Sequence, residues 1–420
     1  MTFTEADCLR SRGDFPALER TVDDRPIAYL DGPAGTQVPR AVIDAITCYY
    51  EKCNANSHGE FVTSRESDLL VHETREAAAA FLGAPSWREV SFGQNMTTLA
   101  FSLSRALVRE WQPGDEVVIT QLDHEANRGP WLSLEERGIV VREVAVQPDG
   151  RLDYSDLERK VTSRTRLVAL GLASNALGTV NDVAYARRLA SSVGAYLLLD
   201  AVHYAAHFPV DVTALDTDFL LCSAYKFYGP HVGLLYCRPG LLDRLRTDKL
   251  RVQEDEAPFK IETGTLNHAA LAGVKAAIEY IASWGTGGTL RERIVSAMEG
   301  IGAHEHGLAA HYYDSLAKIP GVTVHGPDFS GPRAPTISIT IDGVTANEAA
   351  RLLGAQGLQV WDGHFYAVRA IEVLGLAERG GVIRTGIVMY NTRDEIDRLV
   401  AAVGEIAVAS QGQVANAAVS

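Results

Sequence analysis

Residues 219–238 read FLLCSAYKFYGPHVGLLYCR and hold Lys226 between two runs of apolar residues. Apolar runs of this length, separated by Gly and Pro, are typical of buried β-strands. We therefore expect one strand to end shortly before Lys226 and the next to begin shortly after Pro230. An isolated lysine at a strand end usually extends its ammonium group to the surface. The role of Lys226 therefore depends on the side chains that neighbouring strands place beside it.

Similar apolar runs recur through the first two thirds of the chain and alternate with helical patterns. Continuous apolar strands joined by helices indicate an α/β fold with a largely parallel sheet covered on both faces. Ligands of such sheets bind beyond the carboxyl ends of the strands. The predicted strands are DEVVIT, GIVVREVAV, RLVALGLA, AYLLLDAV, DFLLCSA and VGLLYC, and the predicted helices include AVIDAITCYYEK, SDLLVHETREAAAAFLGA, HEANRGPWLSLEERG and DVAYARRLASSVG.

The pattern changes near residue 285. A long helix is followed by the strands VTVHG and PTISITID, the helix NEAARLLGAQG, the strand VIRTGIVMY and the helix TRDEIDRLVAAVGEIAVA. This mixture is typical of a smaller α+β domain. We therefore divide the chain into an N-terminal arm (1–20), a large domain (21–285), a small domain (286–410) and a flexible tail (411–420).

Composition and charge argue against several classes of partner. The 39 basic and 53 acidic residues give a formal net charge of −14, which disfavours binding to nucleic acid and to anionic membranes. The five cysteines have no C-x-x-C spacing, so we expect reduced thiols and neither a disulfide framework nor a metal site. We find no signal-peptide pattern and no apolar run of about 18 residues, and therefore expect a cytoplasmic protein without a membrane span.

Asp200 ends the apolar run AYLLLD, where a buried carboxylate requires a cationic partner. Pyridoxal 5'-phosphate would provide one in its protonated ring nitrogen. This cofactor also needs a lysine amine for its aldehyde, and hydroxyl or N–H groups at a helix start for its phosphate. Lys226 supplies the amine, and the candidates for the phosphate are Ser223 and the residues where FGQNMTTLAFSLSRAL turns into a helix, Asn95, Met96 and Thr97.

These motifs, in their order and spacing from YLDGPAGTQVP to VMYNTRDEIDRLV, resemble the class V aminotransferases. This branch of the fold-type-I pyridoxal phosphate enzymes includes the cysteine desulfurases. The resemblance covers nearly the whole chain. It implies the transferase fold type I, an amino-acid substrate, and a homodimer whose active sites lie at the interface.

The resemblance also implies roles for individual residues. Lys226 in SAYKFYGP would carry the cofactor, Asp200 in LDAVHY would face its ring nitrogen, and His124 in LDHEANRGPW would stack on its ring. Further cofactor contacts are implied for Asn175, for His203 where the family usually has glutamine, for Ser223, for Tyr225 in place of a common histidine, and for Thr265 from the other subunit. Arg384 would bind the substrate carboxylate, and the remaining substrate contacts would be Gly35, Asn56, His58 and Trp361. Taken singly, each of these residues also has an ordinary structural explanation, such as a turn for Asn175 or a salt bridge for Arg384.

One loop departs from the desulfurase pattern. The desulfurases that this chain most resembles read R-T-G-H-H-C-A there, and the cysteine takes up sulfur as a persulfide. Here residues 361–367 read WDGHFYA, so that Tyr366 occupies the cysteine position. A phenol cannot hold a persulfide, although it can donate a proton. Trp361 indicates a larger or more apolar substrate tail, but core packing of Trp361 and Phe365 explains the change equally well.

We therefore predict a C–S lyase rather than a persulfide-forming desulfurase. Lys226 would remove the α-proton of a cysteine S-conjugate, and Tyr366 or His364 would protonate the leaving sulfur. A place in bacterial secondary metabolism follows from analogy with related enzymes alone. The alternatives are decarboxylation-dependent oxidative deamination of an S-cysteinyl conjugate, transamination, epimerisation, and a catalytically idle dimer that binds the cofactor.

Overall fold

The computed structural model describes residues 3–417. The strands in this part of the chain are β1 (Thr21–Val22), β2 (Arg25–Pro26), β3 (Ala28–Tyr29), β4 (Val90–Gly93), β5 (Glu116–Thr120), β6 (Val140–Val144), β7 (Thr165–Gly171), β8 (Tyr196–Asp200), β9 (Phe219–Ser223), β10 (Gly233–Cys237), β11 (Val322–His325), β12 (Thr336–Ile341), β13 (Leu358–Gln359), β14 (Trp361–Gly363) and β15 (Val382–Gly386).

The α-helices of the same part of the chain connect and cover these strands. They are α1 (Glu5–Arg12), α2 (Arg40–Lys52), α3 (Val62–Leu82), α4 (Met96–Leu107), α5 (Gly129–Leu132), α6 (Tyr154–Lys160), α7 (Val183–Val193), α8 (Leu241–Arg244), α9 (His268–Ser283), α10 (Leu290–Leu316), α11 (Ala346–Gly354), α12 (Val368–Val373) and α13 (Arg393–Ala417).

A seven-stranded sheet in the order β4-β10-β9-β8-β7-β5-β6 forms the centre of the molecule. Strands β6, β5, β7, β8 and β9 pair in parallel, whereas β10 is antiparallel to both of its neighbours. The predicted α/β fold with a largely parallel sheet is confirmed. Strand β4 is missing from the sequence prediction, because its four residues lead directly into the loop before α4.

The two faces of this sheet belong to two separate hydrophobic cores. Along β8, Leu197 and Leu199 lie in one core, and Leu198, between them, lies in the other. Side chains of a strand alternate between the faces of a sheet, so both faces are covered and the strands read as continuous apolar runs. Because both faces of the sheet are covered, polar side chains from several strands can meet only at the ends of the strands.

A second, antiparallel sheet in the order β11-β12-β15-β14 lies in the C-terminal part of the chain. Its core also contains buried residues of α10, α11 and α13. This arrangement agrees with the predicted α+β character of the region. Strand β14 is absent from the sequence prediction, because its three residues, Trp361–Gly363, carry no alternating pattern.

Two predicted boundaries differ from the observed elements. Residues 28–30 were assigned to the large domain, but β3 pairs in parallel with β13, and Ala28 and Leu30 are fully buried in the core of the second sheet. This pairing joins segments far apart in the chain, which local patterns do not reveal. At the other end, α13 continues to Ala417, past the predicted start of the tail at 411, and residues 418–420 lie outside the described residues.

Within residues 3–417, no helix has the length and apolar content needed to cross a membrane. The same residues contain no group of three or more His, Cys, Asp or Glu side chains arranged to hold a metal ion.

A glycine at the start of β10 holds the sheet close to the beginning of α4. A Cβ at Gly233 would overlap the backbone of Asn95. We expect Gly233→Ala to push the start of α4 away from the sheet and to lower the free energy of unfolding by about 1–3 kcal/mol. Denaturant unfolding would measure the change.

The matched control is Gly307→Ala in the middle of α10, where an added Cβ has no neighbour within 4 Å. This change should stabilise the helix by up to about 1 kcal/mol. An unfolding midpoint for Gly233→Ala equal to that of the wild type would contradict the close approach.

Candidate active site

A cavity of about 760 Å³ opens at the carboxyl ends of the parallel strands. The start of α4, the loops after β5, β7, β8 and β9, and strand β15 form its walls. The residues of the sequence prediction that line this cavity are Asn95, Met96, Thr97, His124, Asn175, Asp200, His203, Ser223, Tyr225, Lys226, Trp361, Tyr366 and Arg384. The fold therefore brings together most of the predicted site from five or more separate segments.

Lys226 ends a single 3₁₀ turn that follows β9, and its side chain is buried rather than extended to the surface. Its amine donates hydrogen bonds to the carbonyl oxygen atoms of Pro33 and of Ala34, the latter at 3.0 Å. Burial, followed by the positive charge of Arg384, lowers the pKa of Lys226 to about 7. A large share of the amine is therefore uncharged and nucleophilic at neutral pH.

Two buried carboxyl groups lie in the wall of the same cavity. Asp200, at the end of β8, accepts the N–H of Val202 at 2.9 Å, and Asp123 accepts the N–H groups of Gly171 at 2.7 Å and Thr120 at 3.1 Å. Burial raises the pKa of Asp200 to about 7 and that of Asp123 to about 6. The negative charge of Asp123 adds to the effect on Asp200. A cation in the cavity would favour the ionised form of both groups.

The beginning of α4 lines the cavity. Asn95 caps the helix by accepting the N–H of Thr98 at 2.9 Å, and Ser223 accepts the N–H of Met96 at 3.1 Å. Thr97 lies between these two capped positions and also lines the cavity. A helix start of this kind binds anionic groups, because its N–H groups and the helix dipole both favour negative charge.

Tyr225 and His231 stack against each other beside Lys226, with ring centroids 4.5 Å apart and planes 10° apart. The amine of Lys226 lies 4.8 Å from the centroid of the Tyr225 ring. Gly35 lies close to the same ring, since an added Cβ would be 3.2 Å from Cδ2 of Tyr225. Gly35 is absent from the residues that line the cavity.

His124 follows β5 and faces the cavity. Its Nδ1 accepts the N–H of Ala126 at 3.0 Å, so that Nε2 carries the proton in the neutral ring. Burial, followed by the charges of Lys226 and Arg384, lowers the pKa of His124 to about 4. The imidazole is therefore uncharged at neutral pH, which suits a ring that stacks on a flat ligand.

Arg384 enters the cavity from β15 and is almost completely buried. Its guanidinium donates to Asp31 at 2.8 Å and to the backbone carbonyl of Asn175 at 3.2 Å, and it lies 4.1 Å from the centroid of the Phe365 ring. Its Nε is buried without a hydrogen-bond partner in the described part of the chain. Because Arg384 is a buried cation that lines the cavity, its planar guanidinium suits a carboxylate ligand, which binds arginine in a bidentate manner.

The loop 361–367 closes one side of the cavity. Trp361 is 52% exposed and Tyr366 is 66% exposed, whereas Phe365 is 9% exposed. Core packing therefore accounts for Phe365 but not for Trp361. Tyr366 has a φ of 59°, its ring centroid lies 5.4 Å from that of His124, and its carbonyl accepts the N–H of Glu125 at 2.7 Å.

Besides Gly35, four predicted residues are absent from the lining of this cavity. Asn56 and Thr265 line a second, smaller cavity of about 270 Å³. The His58 side chain is 81% exposed, and its backbone N–H is bonded to Asp68. His364 accepts the N–H of Tyr366 at 3.2 Å and is absent from the cavity lining, so its contact shapes the loop rather than the cavity wall.

Sequence reasoning missed four residues of the site, namely Asp31, Asp123, His231 and Phe365. Asp31 belongs to the turn-rich motif YLDGPAGTQVP and Asp123 immediately precedes His124, so a search for carboxylates beside recognised motifs would have found both. His231 follows Lys226 by five residues, but nothing in the sequence shows that it stacks on Tyr225. The contact of Phe365 with Arg384 depends on a loop conformation with a positive φ at Phe365.

The residues of the cavity fit pyridoxal 5'-phosphate by their chemistry. Burial raises the pKa of Asp200 to about 7, and a protonated ring nitrogen beside it would favour the ionised carboxylate. Lys226 has an amine that is largely uncharged at neutral pH, and the start of α4 suits the phosphate. The volume of about 760 Å³ lies within the range of ordinary ligand sites.

Comparison with known proteins gives one consistent family. The family model described as Aminotransferase class-V matches residues 28–399. The cysteine desulfurase of Serratia proteamaculans is 34% identical over 413 residues, which cover 94% of this chain and 97% of that protein. Among solved structures, the apo cysteine desulfurase of Thermococcus onnurineus has a TM-score of 0.86 and 27% identity, and covers 95% of this chain and 98% of its own. The cysteine desulfurase CsdA of Escherichia coli has a TM-score of 0.84 and 28% identity, and covers 96% and 98%.

The lowered pKa of Lys226 leads to a prediction for the cofactor-free protein. Amine acylation requires the neutral amine, so labelling of Lys226 should rise through a pH of about 7, well below the pKa of about 10.4 of an ordinary lysine. Mass spectrometry of digested protein would give the labelling rate at each pH, with the exposed Lys318 as an internal reference.

Arg384→Met removes a positive charge that lowers the pKa of Lys226. The midpoint of labelling should therefore move to higher pH in this variant. If labelling of Lys226 in the wild type rose only near pH 10, the proposed environment of the amine would be wrong.

Proposed function

Because the chain belongs to the class V aminotransferase family, which includes cysteine desulfurases and uses pyridoxal 5'-phosphate, we propose that it is a C–S lyase. The substrate is a cysteine S-conjugate, and the reaction is a β-elimination that releases a thiol. The observation that carries this proposal is the position of Tyr366, whose exposed side chain lies at the cavity of Lys226 and next to His124. A tyrosine at that place can donate a proton but cannot accept sulfur as a persulfide.

The cysteines of the chain support the same reaction. Its last cysteine is Cys237, and none of the described residues that line the cavity is a cysteine. Cys222 and Cys237 are buried, and burial raises the pKa of both thiols above the ordinary range. Thiolates are the nucleophilic form, so these two residues are poor candidates for sulfur transfer.

Residues of this chain would hold the cofactor at its three polar ends. Lys226 would bond to the aldehyde carbon, Asp200 would pair with the ring nitrogen, and the start of α4 with Ser223 would bind the phosphate. When bound, the cofactor supplies an electron sink for the electron pair that remains on Cα after a bond to Cα breaks.

The substrate amine would take the place of Lys226 at the aldehyde carbon, and the amine of Lys226 released in this way acts as the base that takes the α-proton. Its pKa of about 7 leaves a neutral amine available at physiological pH, and burial keeps it in place beside the carbonyl groups of Pro33 and Ala34. Arg384, which lines the cavity, holds the substrate carboxylate through its planar guanidinium. Orientation of the Cα–H bond toward Lys226 therefore depends on Arg384.

Tyr366 acts as the general acid for the leaving sulfur. The Cβ–S bond breaks with its electron pair going to sulfur, and the phenol donates the proton that turns the thiolate into a thiol. Hydrolysis of the remaining three-carbon unit by water gives pyruvate and ammonia, which balances the reaction. Trp361, exposed at the cavity, provides a flat apolar surface for the substituent on sulfur.

Desulfuration of free cysteine is the second candidate, because the relatives compared above are named cysteine desulfurases. Both reactions break a C–S bond but differ in the fate of sulfur and of the three-carbon unit. Desulfuration leaves alanine and a protein-bound persulfide, whereas the proposed elimination leaves pyruvate, ammonia and a free thiol. The cofactor-loaded protein would be incubated with S-benzyl-L-cysteine and, separately, with L-cysteine. Mass spectrometry of the products would then distinguish elimination from desulfuration.

We also propose a homodimer as the working form. Thr265 and Asn56 line the second cavity rather than the cavity of Lys226, which suits residues that serve the site of a partner subunit. Apolar side chains are exposed on α2, α3 and the segment that joins them, namely Tyr50, Phe61, Val62 and Leu69. A second copy that covers these side chains would remove them from water, and sedimentation of the loaded protein at two concentrations would test this expectation.

Lys226→Ala should abolish thiol release from S-benzyl-L-cysteine, because the variant has neither the cofactor bond nor the base. The protein should still fold and retain cofactor through the phosphate and ring contacts, although less tightly. Absorbance of gel-filtered protein would report the retained cofactor. Thiol release at the wild-type rate would overturn the assignment of the base.

Tyr366→Phe should lower kcat by about 100-fold or more for a substrate with a poorly acidic thiol, because the proton donor is lost. The effect on KM should be small, and an S-aryl conjugate with a more acidic thiol should be affected less. His364→Gln is the matched control in the same loop and should retain most of the rate. Equal kcat values for Tyr366→Phe and the wild type with the poor leaving group would remove Tyr366 from the reaction.

A further inference from the structure

The loop 361–367 is bound to the wall of the cavity through its backbone. The carbonyl of Phe365 accepts a hydrogen bond from Nδ2 of Asn175 at 2.9 Å, and the carbonyl of Tyr366 accepts the N–H of Glu125 at 2.7 Å. Asn175 follows β7 and Glu125 follows β5, and both residues line the cavity. The loop that carries Tyr366 is therefore docked on two of the strand ends that form the candidate site.

These hydrogen bonds fix both peptide groups that flank the Cα atom of Tyr366. The peptide group between Phe365 and Tyr366 is planar, and it is bound at both ends: its carbonyl accepts from Asn175, and its N–H donates to Nδ1 of His364 at 3.2 Å. The next peptide group is bound to Glu125 through the Tyr366 carbonyl. Rotation of either peptide group would break at least one of these bonds.

The conformation of the loop depends on such contacts. Phe365 and Tyr366 have φ angles of 52° and 59°, in the left-handed region that is unfavourable for residues with a Cβ and persists only where surrounding contacts hold it. The Phe365 ring packs against the guanidinium of Arg384. The Tyr366 side chain, in contrast, is 66% exposed, so its position at the cavity depends mainly on the hydrogen bonds of its backbone.

We propose that Asn175 is a positioning residue that docks the loop 361–367 on the cavity and holds Tyr366 beside His124. A carbonyl oxygen can only accept, so the nitrogen of the Asn175 amide must face Phe365. This nitrogen carries two N–H groups, so the bond to the loop is compatible with a contact between Asn175 and a ligand in the cavity.

Asn175 also contacts the group that is proposed to bind the substrate carboxylate. Its backbone carbonyl accepts from the guanidinium of Arg384 at 3.2 Å. One residue therefore anchors both Arg384 and the loop of Tyr366, the two groups assigned to opposite ends of the substrate. The use of Tyr366 as an acid rests on the proposed function, whereas the docking of its loop does not.

Hydrogen–deuterium exchange tests the docking in both cofactor-loaded and cofactor-free protein, with mass spectrometry that resolves single residues. Asn175→Ala should raise the exchange rates of the Tyr366 and Glu125 N–H groups about tenfold or more in both forms, because local opening of the loop releases both. The Glu125 N–H is the more telling of the two, since its partner in the structure is the loop and not Asn175.

Asn347→Ala is the matched control. Asn347 is exposed, and its amide donates to Asp362 in the same loop at 3.1 Å, so its loss should leave both exchange rates unchanged. If Asn175→Ala does not fold, Asn175→Leu removes the donor at similar volume and should give the same increase. Wild-type exchange rates in a folded Asn175 variant, or an increase confined to the cofactor-free protein, would overturn the proposal.

Turnover of S-benzyl-L-cysteine tests whether Asn175 acts through Tyr366. Asn175→Ala should lower kcat about tenfold or more, because the proton donor is no longer held in place. The same change made in Tyr366→Phe should lower kcat no further, since two residues that act together are not additive. An equal loss in both backgrounds would overturn the link to Tyr366. If the wild type released no thiol, the proposed function would fail, and the exchange rates would still decide whether Asn175 docks the loop.

Discussion

The burial of opposite charges around one cavity is the constraint on which the site depends. Lys226, Asp200 and Arg384 are each at most 8% exposed, and a buried charge is costly unless a partner compensates it. In the protein alone the compensation is incomplete: burial raises the pKa of Asp200 and lowers that of Lys226. A ligand with a cationic ring nitrogen and an aldehyde that consumes the amine would relieve both.

The fold supplies these groups by ending its strands at one edge. Asp200 ends β8, Lys226 follows β9, and His124 follows β5, so three parallel strands place their functional side chains together. The second sheet then adds Arg384 from β15, which closes the cavity and holds Asp31. The hydrogen bond from Arg384 to the carbonyl of Asn175 joins the second sheet to the loop after β7 at the place where the chemistry is proposed.

Much of this arrangement could be predicted from the sequence, because apolar runs locate strands and the residues that follow them locate the cavity wall. Lys226, Asp200, His124 and Arg384 were all found in this way or by resemblance, and all line one cavity. The pair Asp31 and Arg384, the stacking of His231 on Tyr225, and the contact of His207 with Glu305 were not found. Some of these contacts join segments that are distant in the chain, and the others depend on the conformation of a loop. Contacts of both kinds leave no periodic pattern in the sequence.

The most direct test of the central claim is to reduce the cofactor-loaded protein with borohydride and to map the cofactor mass on its peptides. The account predicts that the added mass lies on the peptide that contains Lys226 and is absent from Lys226→Ala. Attachment to another lysine, or loaded protein in which no lysine carries the mass, would contradict the assignment of this cavity as the cofactor site.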